Sequence, residues 1–155
     1  MVLDFTYKRH PEVITKADIL SALKKINYTL KPMDIVLLHT GADKFFGRRE
    51  YLTGYVGVSP EATEYLIDNG IKVMGIDALG FDRPFKDIFQ DFLKTRDKKL
   101  LYPSHMLGRK KEYAHIERLA NLDKLPKAYG FKVICFPVKI KDVGAAWARV
   151  VAIIE

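Results

Sequence analysis

A chain of 155 residues with 48% hydrophobic and 29% charged residues has the balance of one globular domain, long enough to bury roughly 70% of its unfolded surface. No apolar run approaches the ~18 residues of a transmembrane helix, and a single cysteine, Cys135, excludes an internal disulfide and a cysteine-based zinc cluster. The net charge of +7 gathers in Lys94–Lys99 and Arg109–Lys111, runs without the interleaved aromatics that stack bases, so they read as solvated faces and nucleic acid is not an expected partner.

The chain opens with Val2 to Tyr7 (VLDFTY), a strand by its β-prone apolar content. An acidic residue, Asp4, stands where a secretory signal would carry Lys or Arg, so the expected location is the cytoplasm. Thr15 and Asp18 are spaced as a capping box, and the helix they open places Ile19, Leu20, Leu23 and Ile26 on one face. Asp34 to Thr40 (DIVLLHT) is short and almost continuously apolar, as a buried strand is. Ser59-Pro60-Glu61 starts a second helix, with Ala62, Tyr65 and Leu66 inward and a stop at Asn69-Gly70. Ile71 to Ile76 follows at once as a strand.

Beyond the break at Arg83-Pro84, Phe85 to about Lys94 predicts a helix with Ile88, Phe89, Phe92 and Leu93 apolar. Leu100 to Leu107 predicts a further short helix, Tyr113 to Glu117 a strand, and Leu122 to Pro126 a turn. Phe131 to Pro137 and Ala148 to Ile154 are the clearest strands. No repeat or linker interrupts this order, so residues 1–155 read as a single mixed α/β domain.

Four histidines and a few carboxylates carry the chemistry. His105 and Glu117, twelve residues apart, pair an imidazole with a carboxylate, the donors that zinc or manganese accepts. Two ligands fall short of the three that a catalytic centre usually takes from its protein. His115 lies two residues before Glu117, on the same face if that segment is a strand. His39 ends a strand, and a hydrogen bond to backbone is its expected role. His10 sits in a polar loop and reads as exposed. Asp77 and Asp82 follow a buried strand, where ligands gather and where carboxylates also cap loops or helices. Cys135, flanked by apolar residues, reads as an inert core thiol. Nucleophile-elbow and phosphate-loop motifs are absent from the sequence.

Several segments carry a family likeness: Val58–Ala62 (VSPEA) with Gly70–Ala78 (GIKVMGIDA), Ile35–Gly41 (IVLLHTG), Glu117–Pro126 (ERLANLDKLP), Phe131–Ile140 (FKVICFPVKI) and Ala148–Ala152 (ARVVA). In order and spacing they resemble the putative cyclase family, which includes bacterial kynurenine formamidase, across nearly the whole chain. The resemblance implies a swivelling β/β/α arrangement, a barrel-like mixed sheet with helices packed outside. It also implies metal-dependent hydrolysis of C–N amide bonds with zinc or manganese, a small amide as substrate, and homo-oligomers. His105 and Glu117 fall on the family's downstream ligand positions, and Glu117 is the residue expected to orient the attacking water. The family's upstream His-x-x-x-His-x-Asp signature has no counterpart here, since Val2–Thr6 matches the strand that follows it. The resemblance therefore delivers half a metal site. The alternative function is a non-catalytic homologue that self-associates or binds a partner.

Overall fold

The computed structural model describes residues 1–154. In chain order its first half holds β1 (Val2–Asp4), β2 (Val13–Ile14), α1 (Lys16–Lys25), β3 (Ile35–His39), α2 (Arg49–Thr53), β4 (Gly57–Val58), α3 (Pro60–Asp68) and β5 (Val73–Ile76). The second half holds α4 (Phe85–Thr95), α5 (Pro103–Leu107), β6 (Ala114–Ile116), β7 (Lys132–Pro137) and β8 (Ala148–Ile153), with short 3-10 turns between. The four apolar segments β1, β3, β5 and β6 lie side by side in that order, all parallel. β2 pairs with β4 in parallel, and β7 with β8 as an antiparallel hairpin. This is the mixed α/β architecture implied by the resemblance.

Alternation along the central strands divides the core. Leu3, Val36, Leu38, Met74 and Ile76 face the helices, where they meet Ile19 and Leu23 of α1 and Ala62 and Leu66 of α3. Leu37 points the other way, into a smaller cluster with Leu119 and Leu122, against which Val133 and Val150 of the hairpin pack. Each fully buried Leu, Ile or Met contributes about 1.5–3 kcal/mol by leaving water. Gly75 fits this crowded sheet for want of a side chain, because an added Cβ would lie 2.6 Å from Leu119 and 2.8 Å from Leu37.

The helix starts follow the sequence closely. The Thr15 backbone N–H donates to Asp18 at 2.8 Å, and the Asp18 N–H donates back to the Thr15 hydroxyl at 3.2 Å. Ser59 caps α3 through the Ala62 N–H, with Pro60 in the first turn. Four expectations need correcting. The first strand stops at Asp4, because that carboxylate accepts the Thr6 N–H and hydroxyl and turns the chain. Leu20 of α1 and Phe89 and Leu93 of α4 are exposed, since only Ile88 of α4 reaches the core. Cys135 is half-buried in the hairpin and outside both apolar clusters, and burial pushes its thiol pKa up. The 100–107 segment divides into a 3-10 turn and α5, the helix beginning at Pro103. Among the described residues, no helix is long and apolar enough to cross a membrane.

Candidate metal centre

The site is assembled at the carboxyl-end side of the parallel sheet, where chain crossings leave room for ligands. Its first component is the loop after β5. The Val58 N–H donates to the Phe81 carbonyl at 2.8 Å, tying this loop to β4. Gly57 permits the approach, since a Cβ there would sit 2.5 Å from the backbone of Asp82 and Arg83. Asp82 is thereby fixed in the interior, 2% exposed.

Asp82 then does for α5 what that helix cannot do for itself. Tyr102, at the N-cap, has positive φ (51°) and no side-chain cap, so the first amides of the helix need acceptors from elsewhere. Asp82 accepts the Ser104 N–H at 2.9 Å and the His105 N–H at 3.0 Å. The same carboxylate accepts the His105 Nδ1–H at 2.7 Å. Ser104 adds a hydroxyl bond to the Val58 carbonyl, and its own carbonyl accepts the Tyr113 hydroxyl at 2.6 Å. With Nδ1 as the donor, a neutral His105 presents an Nε2 lone pair on the far side of the ring.

β6 supplies the facing groups. His115 pairs with Met74 in the β5–β6 register, and its ring stacks on buried Phe81 at 4.9 Å. The strand ends at Ile116, and the backbone turns at Arg118 (φ 61°), whose N–H reaches the Ala78 carbonyl. Glu117 Oε1 is held by the Phe81 N–H at 2.8 Å. His105 Nε2 lies 3.6 Å from that oxygen, His115 Nε2 lies 3.5 Å from it, and the two Nε2 atoms are 3.2 Å apart.

The electrostatics agree with this arrangement. Burial would raise the Asp82 pKa, but bonds from the His105 imidazole and the Ser104 and His105 amides outweigh it and hold the carboxyl below its ordinary value. For Glu117 burial is likewise outweighed, by bonds from His115 and the Phe81 amide and by both imidazoles, and the net direction is down. The Asp82 hydrogen bond raises the His105 pKa against the opposing effect of burial. A carboxylate kept ionised suits a ligand more than a proton acceptor.

The donor set fits a divalent cation. Ligands about 2.0–2.2 Å from a tetrahedral zinc stand roughly 3.3–3.6 Å apart, and the three separations here span 3.2–3.6 Å. Two borderline imidazole nitrogens and a hard carboxylate oxygen suit zinc or manganese. A buried carboxylate behind the ligand histidine is the usual means of fixing its ring.

The structure thus brings His105 and Glu117 together, as their expected shared role requires, and adds His115 from the neighbouring strand. The two-residue spacing of His115 and Glu117 carried that signal. The strand-end position of Asp82 marked it as a ligand or a capping carboxylate, and it caps α5; what the sequence did not show is its bond to His105, 23 positions away. Asp77 caps a loop, accepting the Thr40 and Gly41 amides. His10 is exposed as expected, yet it pairs with Asp87 of α4 at 2.5 Å. His39 departs from its expected role: its Nε2 is buried without a hydrogen-bond partner.

Comparison with known proteins agrees on the fold. An isatin hydrolase bound to the product analogue thioisatinate superposes with a TM-score of 0.80 at 24% identity, covering 97% of this chain and 57% of that one. Isatin hydrolase A from Labrenzia aggregata gives 0.77 at 25% identity, with 97% and 59% covered. A potential metal-dependent hydrolase with cyclase activity gives 0.68 at 26% identity, with 96% and 61% covered. The chain therefore spans about three fifths of the length of these structures. No curated protein matches it significantly by sequence. The model of the family described as Putative cyclase matches residues 1–83, more than half of the chain, and the protein belongs to that family.

Proposed function

We propose that this chain carries a divalent-metal centre of an amide hydrolase, with His105, His115 and Glu117 as its ligands. The observation that carries the reading is the convergence of three donor atoms within 3.6 Å of one another, backed by the Asp82 carboxylate. Metal-dependent hydrolase and isatin hydrolase structures among its relatives support the reaction class. A divalent ion bound at such a site supplies Lewis acidity and makes water acidic enough to act as a nucleophile near neutral pH. The residues supply the rest. His105 presents Nε2 because Asp82 keeps the proton on Nδ1. His115 is braced by Phe81, and the Phe81 amide aims Oε1 of Glu117; orienting the water is the further role this reading gives to Glu117. A small amide, arylformamides included, is the proposed substrate, with zinc or manganese as the ion.

The test is hydrolysis of an arylformamide with and without added zinc or manganese, in the wild type and in His105→Ala and Glu117→Gln. Metal-dependent turnover lost in both variants is expected. Turnover indifferent to metal and to both substitutions would sink the reading.

A second reading, self-association into a homo-oligomer, is favoured by the hairpin. Trp147 is 80% exposed and Phe136 60%, and Val138, whose N–H donates to the Trp147 carbonyl, is exposed as well, apolar surface of the kind that association covers. Sedimentation equilibrium over a wide concentration range checks it, and a strict monomer throughout would reject it.

A further inference from the structure

We propose a second divalent-cation site, formed by His39, Asp43 and Asp77 and sharing no residue with the centre described above. The three come from two strand ends and a turn. His39 is the last residue of β3 and Asp77 follows the end of β5, its neighbour in the sheet. Asp43 lies in the 3-10 turn Ala42–Phe45. One ligand atom from each falls within 4.8 Å of the others.

Two independent features point to a ligand there. The first is the pair of orphans. His39 is 9% exposed, and its Nε2 is buried with no hydrogen-bond partner; Asp43 Oδ1 is buried and unpartnered as well. Buried polar side-chain atoms without partners are uncommon, and here both occur in one small cluster. His39 Nε2 stands 4.0 Å from Asp77 Oδ2, too far for a hydrogen bond and a few tenths of an ångström beyond the roughly 3.3–3.6 Å spread of two ligands on a tetrahedral zinc, so an ion here draws the two side chains slightly together.

The second feature is the shell behind the donors. Asp77 is fully buried, and its carboxylate accepts the Thr40 N–H at 2.9 Å, the Thr40 hydroxyl at 2.6 Å and the Gly41 N–H at 2.6 Å. Asp43 Oδ2 accepts the Asn121 N–H at 3.3 Å, which leaves Oδ1 as its free oxygen. Hydrogen bonds that fix ligating carboxylates from behind are the ordinary second shell of a metal site. One imidazole and two carboxylates suit zinc or manganese, with solvent completing the coordination. An ion here clips the turn after β3 to the ends of two central strands. Its role is to hold the segment leading into α2, whose Tyr51 hydroxyl donates to the Asp77 carbonyl at 3.4 Å.

The experiment uses the full chain and zinc alone. Native mass spectrometry and calorimetric titration are run on the wild type, on the double variant His105→Ala/Glu117→Gln, and on that variant carrying Asp43→Asn or His39→Gln. The expected result is two equivalents in the wild type and one in the double variant, with the remaining affinity falling at least tenfold on either further substitution. Zinc should also raise the melting temperature of the double variant and lose that effect with Asp43→Asn. No residual zinc in the folded double variant overturns the proposal, as does residual zinc indifferent to His39 and Asp43. If the double variant does not fold, the wild type decides: a zinc-induced shift of the His39 Nε2 resonance is required, and its absence at two equivalents overturns the site.

Discussion

Asp82→Asn tests the idea that one buried carboxylate sets the orientation of the first ligand. The substitution keeps the shape and removes the charge. An amide oxygen can still accept from one of the Ser104 and His105 amides, but its NH2 group must face another donor, either an amide or the Nδ1–H now held at 2.7 Å. A hydrogen bond to an ionised partner contributes about 1.5–3 kcal/mol. Removing the carboxylate behind a ligand histidine costs about 10–100-fold in metal affinity, or about 1.4–2.7 kcal/mol at ~1.36 kcal/mol per tenfold. The two ranges overlap, so the zinc affinity of Asp82→Asn should fall by about 10–100-fold. Because Asp82 also caps α5, stability should fall by about 1–3 kcal/mol, with Tm dropping roughly 2–4 °C per kcal/mol. Competition against a chromophoric chelator at pH 7, with circular dichroism confirming the fold, measures both. A folded variant whose zinc affinity stays within twofold of the wild type refutes the reasoning.

Other changes probe separate parts of the account. Gly57→Ala forces a Cβ to within 2.5 Å of the Asp82–Arg83 backbone and should cost about 1–3 kcal/mol, weakening zinc binding at the same time; thermal melting and the same competition assay check it. Thr15→Ala removes the capping box of α1 and should cost about 1 kcal/mol with zinc affinity unchanged, so altered affinity would place α1 in the site. Met74→Ala, at a fully buried position, should cost about 2–5 kcal/mol in a urea melt. The pH dependence of the metal-free protein follows from two shifts. His105 is raised on folding, so its contribution is complete below its unfolded value of ~6.5 and is lost as pH rises through the folded one. Asp82 is lowered, so its contribution is present above ~3.9 and is lost as pH falls through the folded one. The stability difference between the wild type and Asp82→Asn should be greatest between about pH 4 and 6.5 and narrow above it; a difference independent of pH contradicts the pair.

The elements that local chemistry dictates were legible in the sequence. Thr15 with Asp18, and Ser59 with Pro60, mark helix starts through hydrogen bonds spanning three residues, and the uninterrupted Ile35–Leu38 run reads as a buried strand. Composition misled where apolar residues end on a surface: Phe89 and Leu93 carry the helical period, but Ile88 is the one fully buried side chain of α4. In the site, His105 and Glu117 were legible by spacing with the family likeness, and His115 by its strand alternation with Glu117. The Asp82–His105 bond and the orphaned His39 Nε2 were not, because both depend on contacts between segments that only the sheet crossings create. Tyr102 shows the same limit. Its uncapped, positive-φ position makes sense only once the distant carboxylate that takes over the cap is in place.

Imidazole nitrogen NMR during zinc titration tests the central claim most directly. On saturation with zinc, the Nε2 resonances of both His105 and His115 should move to metal-bound positions while His105 Nδ1 stays protonated against Asp82, and Glu117→Gln should weaken both changes together. Zinc-bound shifts at only one of the two histidines, or at neither, would contradict the three-ligand centre.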